Sequence, residues 1–186
     1  PFAEFLRKRT AAEARFLRVF AYFELLKRYG GIPLVGDTVF NLEDNLDLPR
    51  NTFEECVNYI VSECDAITLE LPRGSTIQAT DFGHIPSEAA MALKLRVLLY
   101  AASPLYNGEG IESNPEIKVL TGYPTASQAR WNKVIDAAEP LIAIGYYKLP
   151  TGSGTNVYSS VFTTKINTDI ILSKQSPNST SIENAN

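Results

Sequence analysis

At 186 residues the chain has the length of one domain and enough polypeptide to bury a core. Apolar residues make up 45% and charged residues 20%, as in ordinary globular proteins; the net charge of −4, with no basic run interleaved with aromatics, argues against a nucleic-acid surface. No apolar stretch reaches the roughly 18 residues that a membrane-spanning helix requires.

The chain opens on Pro1-Phe2-Ala3-Glu4, already within helix-forming sequence, and runs out in a polar stretch, Ser176 to Asn186. Both ends read as cuts, so a piece of a larger polypeptide is expected. The first strong element is Ala11 to Val35. Phe16, Leu17, Val19, Phe20, Phe23, Leu25 and Leu26 point in almost every direction of a helix. A one-sided surface helix would show a single stripe, so this helix is expected to be sheathed on two or more sides. Lys27 and Arg28 suit the negative end of its dipole, Gly30 and Gly31 supply a left-handed stop, and Pro33 prevents resumption.

Residues 1–28 hold seven Lys/Arg against three acids, whereas residues 37–70 hold nine acids against Arg50 alone. The two segments are therefore expected to pair as antiparallel neighbours. The loop between them carries Asp37, Glu43, Asp44 and Asp47, at a spacing that matches no calcium loop; no metal site is expected there. Thr52 and Glu55 form a capping box, and Phe53, Val57, Ile60, Cys64, Ile67 and Leu71 recur as a single seam. That pattern predicts a one-sided, peripheral second helix closed by Pro72. Cys56 and Cys64, eight residues apart, lie roughly 12 Å apart along such a helix, too far for a disulfide, and read as small core hydrophobes.

A polar connector, Arg73 to His84, follows, with His84 as a lone imidazole. The third helix is expected from about Pro86 to Ser103, deep against the first, because alanines at 89, 90, 92, 101 and 102 permit close approach. Lys94 and Arg96 within it are expected to snorkel or to meet a neighbouring carboxylate. Residues 104–125 form a long loop. Tyr106, Asn107 and Tyr123 in it have the chemistry to stack on a sugar face and hydrogen-bond its hydroxyls, and they are the candidate ligand-binding residues. Their competing role is to pin the loop to its own scaffold.

The fourth helix, from about 126, should turn Trp131, Val134, Ile135, Ala138, Leu141 and Ile142 inward and kink or break at Pro140. Beyond the extended piece Tyr146–Leu149, residues 150–186 read as a linker, a helical turn at Val157–Phe162, one short β-strand at Asp169–Lys174 and a polar tail with an Asn178-Ser179-Thr180 glycosylation pattern. The fold class is thus mainly α. Helices beginning near 11, 53, 86 and 126 fit two tetratricopeptide-like (TPR-like) pairs over residues 1–149, at a period of about 34 residues. Nucleophile elbow, phosphate loop, dinucleotide fingerprint and metal-ligand cluster are all missing, so neither a catalytic residue nor a cofactor is expected.

Several segments together resemble the SusD/RagB group of outer-membrane nutrient-binding lipoproteins. They are Glu13 to Val35, Leu48 to Val57, Ile60 to Asp65, Ala89 to Leu105 (AAMALKLRVLLYAASPL), Trp131 to Leu149 and Asp169-Ile170-Ile171-Leu172. Pro140 and Asp169 depart from the group's pattern. The resemblance implies a helical TPR-like scaffold in a surface-exposed lipoprotein of the outer membrane, with its lipid anchor upstream of Pro1. It also implies capture of an oligosaccharide, or in some members a peptide, without catalysis, and its delivery to a SusC-like TonB-dependent transporter. Most ligand contacts would then lie outside this stretch. The alternative class is a TPR-like protein–protein adaptor with no small ligand.

Overall fold

The computed structural model describes residues 2–152 and 154–174. Among them run α1 (Phe2–Tyr29), α2 (Phe53–Thr68), α3 (Ser87–Ala102), α4 (Pro115–Thr121), α5 (Gln128–Ala143) and α6 (Thr155–Thr163), with 3₁₀ turns at Gly74–Thr76 and Ala79–Asp81. The fold is mainly α. Consecutive long helices pack side by side, α1 on α2, α2 on α3 and α3 on α5, the order in which helix pairs stack in a TPR-like scaffold. The Asn178-Ser179-Thr180 pattern lies outside the described residues.

The local signals act where they were expected. Thr52 is extended, its hydroxyl accepts from the Glu55 N–H at 3.2 Å, and the Glu55 carboxylate accepts from the Thr52 N–H at 2.7 Å. Such a cap is worth about 1 kcal/mol. Gly30 stops α1 in the left-handed region at φ +71°. Arg50, rather than Lys27 or Arg28, satisfies the carbonyls beyond the last turn, donating to Tyr29 O at 2.6 Å and Gly31 O at 2.7 Å. Lys27 and Arg28 both turn to Glu24.

The charge asymmetry becomes an interhelical network. Arg15 forks onto Glu63 at 2.9 and 3.0 Å, and Arg18 bridges Glu63 at 3.1 Å and Asp37 at 2.6 Å. Tyr22 meets Tyr59 edge-on, 5.6 Å between centroids. Partners rise along α2 as they fall along α1, so the pair is antiparallel. The Arg15 hydrogen bond holds the Glu63 carboxyl below its ordinary range, and Arg18 does the same for Asp37. Folded values lie below unfolded ones, so this stabilisation is complete above about pH 5 and is lost as pH falls through the folded values. Urea midpoints measured from pH 7 downward should start to fall near pH 5, and Glu63→Gln should flatten that fall.

Helix order in the core differs from expectation. The seam Phe53, Val57, Ile60, Cys64, Ile67 and Leu71 is buried as read, but α2 is central, not peripheral. Its flanks are covered as well as its seam: Tyr59 and Glu63 meet α1, Cys56 meets Ile32 of the α1 exit, and Asp65 on the opposite flank meets Lys94 of α3. Conversely α1 is not sheathed. Ala12, Phe16, Val19, Phe23 and Leu26 form one buried stripe, while Leu17 and Phe20 remain 60% and 41% exposed. The alanine-rich α3 packs its backbone closest to α2 and α5 and meets α1 through side chains, with Tyr100 edge-on to Phe23 at 5.3 Å. Its Lys94 reaches Asp65 of α2 at 2.7 Å.

Of the kink or break expected at Pro140, the break does not occur: helix α5 continues through it. Pro140 and Asp136 are both exposed, so water can take the carbonyl bond that proline cannot supply. Half-buried Val134, Ala137, Ala138 and Leu141 make its inner face, whereas Trp131, Ile135 and Ile142 point outward, contrary to the expected inward set. Within the long loop, the Asn114 side chain caps the Glu116 N–H at 3.0 Å with Pro115 behind it, and α4 forms. Residues 169–174 form no strand. A β-favouring run needs a neighbouring edge, and the described residues offer isolated bridges but no ladder. The segment packs instead by Ile171 against the core, with Lys148 N–H donating to Thr168 O at 2.9 Å just before it.

Both cysteines are buried and free; burial pushes the Cys64 thiol up to about 12, so it stays protonated. No described helix is long and apolar enough to cross a membrane, and the described residues contain no cluster of three or more potential metal ligands.

Candidate functional site

Tyr106, Asn107 and Tyr123 are brought together by the two ends of the long loop. Asn107 and Tyr123 pair in an isolated parallel bridge, and the Tyr123 N–H donates to Tyr106 O at 2.7 Å. The Asn107 amide donates to Ala102 O at 3.3 Å and Ser127 O at 3.2 Å, and its oxygen accepts from the Ser127 N–H at 2.9 Å and from the Arg130 guanidinium. Four bonds exhaust an asparagine side chain. The residue is 7% exposed and Tyr123 6%.

The rings are equally engaged. Phe53, the first residue of α2, stacks on Tyr106 at 4.9 Å and 9° and takes Tyr123 edge-on at 5.5 Å. The Tyr106 hydroxyl donates to Lys27 O at 3.0 Å, tying the loop to the end of α1. The Arg130 guanidinium lies 3.5 Å over the outer face of Tyr123 while donating to Thr125 O at 2.7 Å. Burial raises both phenols, and Arg130 partly offsets this at Tyr123. Gly108 completes the turn at φ +89°, where a Cβ would sit 2.2 Å from the Ala126 nitrogen. In this arrangement the three side chains pin the loop to the scaffold; Asn107 and Tyr123 are buried, whereas Tyr106 is half-buried with one face against Phe53.

Open chemistry lies elsewhere. A cleft of about 250 Å³ runs between the connector and the C-terminal segment, walled by Phe82, His84, Tyr146, Tyr147 and Asn167. Beneath it the fully buried Glu88 accepts from the Gly74 N–H at 2.9 Å and the Ser87 hydroxyl at 3.2 Å, which fixes the connector. Burial, with the Glu88 charge nearby, pushes the Tyr147 phenol up. His84 meets Glu13 of α1 at 2.8 Å and acts as a tie between connector and scaffold. The adjacent Tyr146-Tyr147 pair was the sequence signal for this cleft, but it read only as an extended piece. A second cleft, about 270 Å³, lies between α2, α3 and α5, and carries Lys94, Tyr123, Arg130 and Lys133. A shallower apolar groove joins Phe16 and Phe20 of α1, Leu99 of α3 and residues 169–172.

Comparison with known proteins bears on what such a scaffold belongs to. A SusD-like family model, described as starch-binding and associating with outer membrane, matches residues 3–99. Among curated proteins none matches. Among solved structures, a SusD-like protein from Bacteroides fragilis is 31% identical, with a TM-score of 0.70 over 94% of this chain and 29% of that one. A SusD-like carbohydrate-binding protein from the same organism is 23% identical over 77% of this chain and 22% of that one, with a TM-score of 0.57. The surface glycan-binding protein A of Bacteroides uniformis is 20% identical over 91% and 31%, also at 0.57. The last two likenesses show the fold alone. This chain therefore spans less than a third of the length of these relatives. With the family match running over more than half of its residues, the chain belongs to the SusD/RagB family.

Proposed function

We propose that this chain is the helical scaffold portion of a non-catalytic, lipid-anchored glycan-binding protein at the cell surface, which delivers oligosaccharides to a SusC-like TonB-dependent transporter in the outer membrane. The observation that carries this reading is the family match over residues 3–99, to a model described as starch-binding and associating with outer membrane. The region it spans forms the packed helices α1, α2 and α3. In this reading residues 1–149 are scaffold and 150–186 lead into other parts of the protein. The outward apolar residues Leu17, Phe20, Ile135 and Ile142 are surfaces of a supporting body. Tyr106, Asn107 and Tyr123 keep the loop closed, and the principal sugar contacts fall on other segments.

Calorimetry of the longer protein against a polysaccharide panel tests this. Heat of binding with one glycan, and little or none with neutral glycans for the 186-residue chain alone, is the expected pattern. No heat with any glycan, together with binding to a protein partner, would replace the reading with a TPR-like adaptor. Glycan turnover that disappears on changing one carboxylate would replace it with an enzyme.

A further inference from the structure

The cleft between α2, α3 and α5 has a chemistry that the loop anchor does not. Arg130, Lys133 and Ala137 follow at i, i+3 and i+7 on one face of α5 and all line it. Lys94 enters from α3, while Val57, Asn58 and Val61 come from α2. Three cations thus converge in a chain whose net charge is −4. The acidic groups nearby are Asp136 in the wall, Asp65 held by Lys94 at 2.7 and 2.9 Å, and Glu54 beside the Tyr123 phenol. Lys133 has no hydrogen-bond or ion-pair partner among the described residues. Arg130 is held in place by Asn107, Thr125 and the Tyr123 face. The bonds to Asn107 and Thr125 use one terminal nitrogen and the guanidinium also engages the Tyr123 phenol, so only part of its donor set is left over.

We propose that this cleft binds the charged group, a carboxylate or sulfate, of an acidic saccharide. The inference rests on the carbohydrate-binding reading above and names a ligand class for one site. A neutral sugar would look for an open aromatic face, and the one aromatic ring here is covered by Arg130. A planar guanidinium immobilised on a ring, with two lysines beside it, instead suits an oxyanion. At about 270 Å³ the space takes one sugar residue, not a chain, so binding is weak and confined to the charged end.

Amide chemical-shift titration of the 186-residue chain tests the proposal, with a glucuronate-terminated disaccharide, a sulfated disaccharide, a neutral disaccharide and sodium sulfate as probes. At least one acidic disaccharide should shift Asn58, Lys94 and Lys133, the neutral one should not, and added salt should weaken the effect. Lys133→Glu should weaken binding roughly tenfold or more, whereas Lys165→Glu, an equal charge change at an exposed site outside the cleft, should leave it unchanged. Lys133 is exposed, so its replacement leaves the core intact. The proposal fails if no acidic disaccharide shifts these residues, if neutral and acidic sugars shift them equally, if sulfate alone does so as well as the saccharides, or if Lys133→Glu binds normally. Neutral glycan binding by the longer protein with a silent cleft would sink this inference and leave the wider reading standing.

Discussion

Replacing Phe53 by alanine is expected to cost about 3–5 kcal/mol, the range for removing a fully buried phenylalanine, and to lower Tm by about 6–20 °C for a chain of this size. Phe53 is 1% exposed and does three jobs at once. It begins the α2 seam, stacks on Tyr106 and supports the edge of Tyr123. Truncation therefore opens a cavity at the point where α1, α2 and the long loop meet, and removes two ring contacts worth about 0.5–1.5 kcal/mol each beyond their buried area. Chemical denaturation of the variant checks the magnitude. Hydrogen exchange should add a local signature, with the amides of Asn107 and Tyr123 losing protection first. A cost below about 1 kcal/mol would mean that the loop is held by its polar bonds alone.

Gly31→Ala is the second large effect, at about 3 kcal/mol, and its cause is steric rather than torsional. A Cβ there would lie 2.0 Å from Asn51 O and 3.0 Å from the Thr52 carbonyl carbon, backbone atoms that lead into the α2 cap. Backbone cannot rotate away as a flexible side chain can. The same strand of chain is pinned by Asn51 N–H to Ile32 O at 3.2 Å and by Arg50 to Gly31 O. Gly145→Ala supplies the contrast. Gly145 sits at φ +64° with its nearest neighbour 4.0 Å from a built Cβ, so only the left-handed penalty of about 1–2 kcal/mol applies. Denaturation midpoints of the two variants should therefore separate; equal midpoints would show that the α1 exit can yield.

How far each feature was legible depended on the range of its cause. The Gly30 stop, the Thr52–Glu55 box and the period of the α2 seam act within a few residues, and all are present. Asn114-Pro115 carries the same kind of local signal for α4, but sits in a stretch whose glycines and prolines favour a loop. The cleft bearing Lys94, Arg130 and Lys133 had no such signal, since its walls come from three helices whose juxtaposition no spacing along the chain encodes.

Residue order alone determined that the chain is helical, where α1 ends and α2 begins, and that a basic first segment would pair with an acidic second one, because capping, periodicity and Coulomb attraction between whole segments survive without knowledge of packing. Tertiary structure decided which helix is central, which way α5 faces and whether residues 169–174 find a strand partner. It also decided whether Tyr106, Asn107 and Tyr123 meet solvent or one another. Each of those outcomes turns on which neighbour supplies the missing contact: α1 and α3 cover opposite flanks of α2, Phe53 takes the tyrosine rings, and an apolar face with no neighbour stays outside.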